Sequence, residues 1–270
     1  MTQKLDQKVC VVTGGLGLIG KQLCRALAGA GASVVVTDMN ADACAAVAAE
    51  LATEFGGKHI GLAADITDKA SLEALRDGIL AEFDRLDVLV NNAAINDKFE
   101  SPAAAAHDSM MEHYPLEMWK KSVDVNITGT FLAAQVLGAV MAQRGSGSIV
   151  NVASTYGIVA PDQSLYKRPD GTQPFYKSPV YPTTKAAVIG FTKFLAAYWG
   201  QAGVRVNTLS PGGVEAGQDE HFVAAYSART MVGRMAKSTD YGGAIVFLAS
   251  DDSAYMTGSN LVVDGGWTAW

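Results

Sequence analysis

"VVTGGLGLIGKQLCRAL", residues 11–27, decides the fold of this chain. A β-branched apolar run enters three glycines, Gly14, Gly17 and Gly20, and leaves as an amphipathic stretch. A strand that turns into a helix this way uses glycine for the tight turn, for close approach of backbone to a pyrophosphate, and for close helix-to-strand packing. The helix N-terminus adds free N–H groups and a positive dipole end. Glycines alone prove little, because a glycine-rich turn needs no ligand. Their place between strand and helix points to a dinucleotide, held by Gly14, Gly17, Leu18, Ile19 and Gly20.

The next strand-like run ends on Asp38, 18 residues past Gly20. That is near the roughly 20 expected for the acid that binds adenosine ribose hydroxyls. A carboxylate there accepts from both hydroxyls and repels a 2′-phosphate. Met39 follows it, and no Lys or Arg lies inside the glycine turn to hold a phosphate. The expected cofactor is therefore NAD rather than NADP. Asp38 would serve equally as the N-cap of the next helix. Asp65, with Ile66 beside it, closes the third run and either meets the adenine edge or caps the following helix.

Outward from this unit, the pattern repeats. Strand-like runs at 8–13, 33–38, 59–65, 87–92, 147–154, 204–210 and 260–266 alternate with helical spacing at 18–30, 41–55, 69–83, 116–144, 182–201 and 238–250. Nearly all-apolar strands separated by helices predict a doubly wound α/β fold, a parallel sheet of about seven strands flanked by helices on both faces. The 270 residues, 49% hydrophobic and 18% charged, fit one domain spanning 1–270. Two stretches break the rhythm, 96–115 and 161–179; the second is expected to be an ordered loop at the ligand end of the sheet.

A net charge of −6 without a Lys/Arg run argues against nucleic acid as a partner and for small molecules. Cys10, Cys24 and Cys44 form no CxxC and no Cys/His cluster, so neither a disulfide framework nor a metal site is expected. The N-terminus carries no signal-peptide core and no run reaches 18 apolar residues, which predicts a soluble, cytoplasmic protein with no membrane partner.

The stretch 176–191, "YKSPVYPTTKAAVIGF", holds two tyrosines and two lysines. Tyr181 and Lys185 are four apart on a helical run and share a face, whereas Tyr176 has Val180 at that spacing. A phenol of ordinary pKa, about 10, is a poor acid–base catalyst at neutral pH. An ammonium about 4 Å away at an effective dielectric of about 20 would contribute roughly 4 kcal/mol, or near three pK units. Pairs at this spacing also occur as plain neighbours on helix surfaces.

Several motifs accompany that pair in a fixed order: "TGGLGLIG" (13–20), Asp38, "NNAA" (91–94), Asn126 in "VDVNITG", Ser154 in "NVAS", "SPGGV" (210–214) and "NLVVDGG" (260–266). In this the chain resembles the short-chain dehydrogenase/reductase family over nearly its whole length. The resemblance implies a Rossmann-type sheet and an NAD-dependent enzyme. It also implies Tyr181 as general acid/base, Lys185 binding nicotinamide ribose and lowering the Tyr181 pKa, Ser154 bonding the substrate oxygen, and Asn126 supporting a relay water. Asn92, Ala93 and Ala94 would pass the cofactor, and Pro211, Gly212 and Val214 would lie against the nicotinamide. Independently of that likeness, Ser154 ends a strand and Tyr181 starts a helix at the same end of the sheet, where a carbonyl would receive two hydrogen bonds. Alone, Ser154 is equally a capping serine, and Asn126 equally a hydrogen bonder inside a helix.

Departures from the family pattern are informative. Leu18 stands where a glycine is usual, a spacing similar to the sugar-nucleotide branch; that branch adds a C-terminal domain, and the end soon after "VVDGGW" keeps the expectation with the simple reductases. Ala94 replaces a glycine, and Ala216 a threonine that contacts the carboxamide. Ser154 and Tyr181 are 27 residues apart, far more than the family usually leaves, so 161–179 looks like an insertion beside the active site. Its Asp162, Gln163, Ser164, Lys167, Arg168 and Lys177 suit a hydroxylated or carboxylated substrate better than an acyl chain, with Arg168 or Lys177 pairing a carboxylate. It would equally be a solvated surface loop.

The expected activity is interconversion of a secondary alcohol and a ketone on a sugar, polyol or sugar-acid derivative. A ketoacyl-type lipid reductase and a non-catalytic dinucleotide sensor are the alternatives. The stretches 116–144 and 182–201 resemble the helices through which the family forms oligomers, so a homo-oligomer, specifically a tetramer, is expected.

Overall fold

The computed structural model describes residues 3–97, 99 and 101–270. The sequence folds as β1 (Val9–Thr13), α1 (Leu18–Gly29), β2 (Ser33–Asp38), α2 (Ala41–Phe55), β3 (Ile60–Ala63), α3 (Lys69–Phe83) and β4 (Val88–Asn91). Then come α4 (Pro102–Asp108), α5 (Leu116–Val123), α6 (Thr130–Ala133), α7 (Ala139–Arg144), β5 (Gly147–Val152), α8 (Val180–Trp199), β6 (Val204–Pro211), α9 (Glu220–Ser227), α10 (Gly242–Ala249) and β7 (Asn260–Val263). The strands are parallel throughout, in the order β3-β2-β1-β4-β5-β6-β7. The order reverses between β1 and β4, and the crevice beyond the carboxyl ends at such a reversal is where ligands bind.

Successive strand residues face opposite sides of the sheet. Cys10 and Val12 of β1 join Val34, Val36, Val88 and Val90 under Leu23, Leu27, Leu51, Ile245 and Leu248 from α1, α2 and α10. Val9 and Val11 meet Val35, Leu89 and Ile149 on the other side, beneath Leu75, Ile79, Leu137, Met141 and Leu195 from α3, the α5–α7 rod and α8. Coverage on both faces is why β1 and β2 read as continuous apolar runs. Each fully buried Leu or Val contributes about 1.5–3 kcal/mol. At the opposite, amino end of the sheet, buried Asp87 accepts from the Val9 N–H at 2.8 Å and pairs with Arg85 and Arg144.

The α2 and α3 spans coincide with the helical spacing because Asn40 and Asp68 cap them, accepting from the amides of Ala43 and Ala70. The 116–144 stretch differs from the single α-helix expected. It is one rod, but π turns at Asp124–Gly129 and Ala134–Gly138 separate α5, α6 and α7. By length and mean hydropathy, 1.5 in its most apolar window, this rod would pass for a membrane span; half of that window is buried inside the domain. The 238–250 stretch begins as a 3-10 turn, Ser238–Tyr241, before α10. Helices α4 and α9 lie where no helix was expected.

Candidate active site

The glycine turn closes on itself. Gly14 has φ +65°, and a Cβ on it would meet the Ala93 Cα at 2.7 Å; a Cβ on Gly20 would lie 2.1 Å from the Gly14 carbonyl oxygen. Thr13 and Asn92 lock β1 to β4 beside it. The Thr13 hydroxyl accepts from the amides of Asn92 and Ala93, and Asn92 Nδ2 donates to the carbonyls of Thr13 and Gly14. The N-cap of α1 is Gly17, which has no side chain to satisfy the first-turn N–H groups. Those groups are left for water or an anion.

Asp38 does not cap α2, since Asn40 does. Its carboxylate accepts from the Leu16 N–H at 3.2 Å and the Met39 N–H at 2.9 Å, which ties the end of β2 to the glycine turn. Asp65 likewise does not cap α3. Its Oδ1 accepts from the amide and hydroxyl of Thr67, while Asp68 supplies the cap. Gly14, Gly17, Leu18, Ile19, Gly20, Asp38, Met39, Asp65, Ile66, Asn92, Ala93, Ala94, Pro211, Gly212 and Val214 all line one cleft of about 1020 Å³. An uncapped helix N-terminus, a turn with no room for a Cβ and a half-buried carboxylate at the end of β2 fit an adenine dinucleotide.

Ser154, Tyr181 and Lys185 line the same cleft. Ser154 follows β5 and caps a 3-10 turn, accepting from the Tyr156 N–H. Tyr181 is the second residue of α8, and Lys185, one turn on, is buried with its Nζ donating to the Val152 carbonyl at 2.9 Å. The backbone of Tyr176 is held by Ser109, and that residue does not line the cleft.

One expectation needs correction. Lys185 Nζ lies 5.8 Å from the Tyr181 ring centroid, and the phenol is shifted up rather than down. Burial raises the Tyr181 pKa above the ordinary value, with Ser154 pulling it down and Tyr226 adding to the rise. Burial also pushes Lys185 down to about 8. Desolvation is the largest cause of both shifts.

Asn126 is the residue that the resemblance assigns to a relay water behind Lys185. It is buried behind the cleft rather than lining it, within the first π turn. Its Oδ1 accepts from the Ile95 N–H at 2.8 Å, and its Nδ2 donates to the Ile95 carbonyl and to Thr184 Oγ1. Thr184 in turn donates to the Tyr181 carbonyl. Asn126 thus links the loop after β4 to the first turn of α8.

The 161–179 segment is an ordered wall of the cleft. Asp162 pairs with Arg229 just after α9. Tyr166 stacks on Phe222 of α9 at 5.3 Å, packs against Phe175 at 4.9 Å, and meets the Tyr156 hydroxyl at 3.3 Å. Tyr226 stacks on Trp267 at 4.2 Å and accepts from the Gly213 N–H. Tyr156, Tyr166, Phe222, Tyr226, Asn96 and Gln218 line the cleft and were not singled out in the sequence. Of the two basic candidates, Lys177 lines the cleft and Arg168 does not. No cluster of three or more His, Cys, Asp or Glu suited to a metal exists among the described residues.

A family model described as enoyl-(acyl carrier protein) reductase matches residues 17–268. D-threitol dehydrogenase of Mycolicibacterium smegmatis is 38% identical over 270 residues, covering 98% of this chain and 94% of that protein. Cis-4-hydroxycyclohexanecarboxylate dehydrogenase of Sinomonas cyclohexanicum is 34% identical over 273 residues, covering 100% of both. A solved structure of gluconate 5-dehydrogenase from Burkholderia cenocepacia, in complex with NADP and tartrate, matches with a TM-score of 0.86 and 30% identity over 99% of this chain and 98% of that one. Sheet order, glycine turn and full-length similarity agree: the chain belongs to the short-chain dehydrogenase/reductase family, whose enzymes use a nicotinamide dinucleotide.

Proposed function

We propose that this protein is an NAD(H)-dependent oxidoreductase interconverting a secondary alcohol and a ketone on a small hydroxylated or carboxylated molecule of the sugar, polyol or sugar-acid class. The observation that carries this is the shared cleft: Ser154, Tyr181 and Lys185 line the same space as the glycine turn and Asp38. When bound, the dinucleotide takes up or supplies the hydride. Tyr181 returns a proton to the carbonyl oxygen in reduction and withdraws it in oxidation, while Ser154 gives that oxygen a second hydrogen bond as negative charge develops. Lys185, anchored by Val152, keeps further N–H donors for a ribose hydroxyl.

Asp38 supports NAD, since its charge opposes a 2′-phosphate and no Lys or Arg stands beside it in the glycine turn. The gluconate 5-dehydrogenase neighbour holds NADP, so the preference is to be measured at this residue. The substrate class is supported by the relatives acting on D-threitol and gluconate, and by aromatic faces that suit the C–H surface of a polyol or ring. The test is absorbance at the reduced nicotinamide band with NAD and NADP separately, over polyols, aldonic acids and hydroxylated rings. Reduction of NAD by at least one of them is expected; no turnover with any, or preference for NADP, refutes the proposal.

Self-assembly is part of the same proposal. On α8, Phe191, Phe194 and Tyr198 stack in sequence at 6.3 and 5.9 Å, and Phe194 and Tyr198 are 60% and 69% exposed. Phe131 on the neighbouring rod adds to that face. A tetramer by light scattering is expected; a monomer at micromolar concentration contradicts it.

A further inference from the structure

The segment between Ser154 and Tyr181 does more than cover the cleft, because one of its residues is fixed at both backbone groups. Gln163 Oε1 accepts from the Lys177 N–H at 2.9 Å, and Gln163 Nε2 donates to the Lys177 carbonyl at 2.9 Å. On one side the Tyr176 N–H donates to Ser109 Oγ at 2.7 Å; on the other, Ser178 is buried. The lysine therefore leaves a rigid base. Its Nζ donates to Asn96 Oδ1 at 2.9 Å and sits 4.4 Å from the centroid of the Tyr181 ring, closer than the Nζ of Lys185. An ammonium has three donors, and Asn96 takes one.

Lys177 and Asn96 both line the cleft, next to the aromatic wall of Tyr166 and Phe222. Because the ammonium lies over the Tyr181 ring, a group bound to it and an oxygen bound to the Tyr181 hydroxyl are within the span of one small molecule. Burial pushes Lys177 down to about 8, with Asp97 acting the other way. A half-buried cation already held in place by Asn96 loses little further entropy on meeting an anion.

We propose that Lys177 is the specificity residue that binds a carboxylate of the substrate, so that the enzyme selects hydroxy acids over uncharged alcohols of the same skeleton. This rests on the oxidoreductase proposal for the reaction and on separate geometry for the lysine. The carbon skeleton packs on Tyr166 and Phe222 while the reacting hydroxyl faces Ser154 and Tyr181.

The test compares wild type, Lys177→Met, Lys177→Gln and Lys177→Arg on matched pairs, 4-hydroxycyclohexanecarboxylate against cyclohexanol and gluconate against glucitol. Loss of the cation should lower kcat/KM for the acids about 10- to 100-fold, the span for a hydrogen bond to a charged group, through KM more than kcat. The uncharged partners should change less than about threefold, Lys177→Arg should restore most of the loss, and NADH binding should be unaltered. An equal loss on both members of each pair, with a shifted pH profile of kcat, would mean that Lys177 acts through Tyr181 and overturns the proposal; so would no loss at all. A readout independent of turnover separates failure of the lysine from failure of the reaction. Cyclohexanecarboxylate should raise the Tm of the NAD-loaded wild type and cyclohexylmethanol should not, and the shift should vanish in Lys177→Met and Lys177→Gln. A shift that survives in both variants, or is absent in wild type, refutes the assignment even if every alcohol is inert.

Discussion

Replacing Asp38 by Asn removes one charge while keeping an oxygen that accepts from the Leu16 or Met39 amide. A 2′-phosphate on the adenosine ribose would stand about 5 Å from the carboxylate, which at an effective dielectric of about 20 is roughly 3 kcal/mol of repulsion. Asp38 is half-buried, so solvent and salt reduce this to about 1–2 kcal/mol. At 1.4 kcal/mol per tenfold, the ratio of kcat/KM for NAD over NADP should fall about 5- to 30-fold in Asp38→Asn. The assay is steady-state kinetics with both cofactors on one alcohol at low, fixed ionic strength. Most of the change should come from improved use of NADP, because Asn still bonds a ribose hydroxyl. A ratio unchanged within about twofold would show that Asp38 does not face the 2′ position.

Gly20→Ala should weaken NADH binding at least about tenfold by fluorescence titration, since its Cβ would lie 2.1 Å from the Gly14 carbonyl and the turn must open; unchanged affinity would detach the turn from the cofactor. Asn126→Ala strands the part-buried Ile95 amide and the buried Thr184 and should cost about 1–3 kcal/mol in urea unfolding, with kcat falling more than KM; a cost below about 0.5 kcal/mol would remove its positioning role. Lys185→Met tests linkage. The folded pKa of Lys185 is about 8, below the unfolded value of about 10.4, so between them the unfolded chain binds more protons and stability gains as pH rises. Below about 8 the burial penalty is fully present. The apo protein should therefore gain stability from pH 8 to 10 relative to Lys185→Met, and parallel curves would contradict the burial argument.

Much of the fold is carried by local signals. Asn40 and Asp68 start α2 and α3 where the apolar period begins, and continuous β-branched runs mark strands covered on both faces. The two π turns were not legible, because a shift from i−4 to i−5 bonding leaves the apolar stripe of 116–144 unbroken. Helix α9 is short, and distant segments hold it: Tyr166 stacks on its Phe222, and Asp162 pairs with Arg229 just after it. The site residues that sequence order identifies, Ser154, Tyr181 and Lys185, do converge. What escaped was anything set by burial or by distant segments. The depressed Lys185 and raised Tyr181 reflect desolvation, which no spacing encodes. The aromatic wall gathers Tyr156, Tyr166, Phe222 and Tyr226 from separate stretches. Lys177 is four residues before Tyr181, yet it precedes the first turn of α8, so Gln163 and Asn96, not helical spacing, bring it over the ring.

The central claim is that the Tyr181 hydroxyl moves the proton that accompanies hydride transfer. Tyr181→Phe keeps the ring that Lys177 and Lys185 approach and deletes only that oxygen. Turnover of the best alcohol should fall at least about 1000-fold while the NADH dissociation constant changes less than about threefold, in line with the 10²–10⁴-fold typical of a general acid–base group. A variant that retains more than about a tenth of wild-type kcat would place the proton transfer elsewhere.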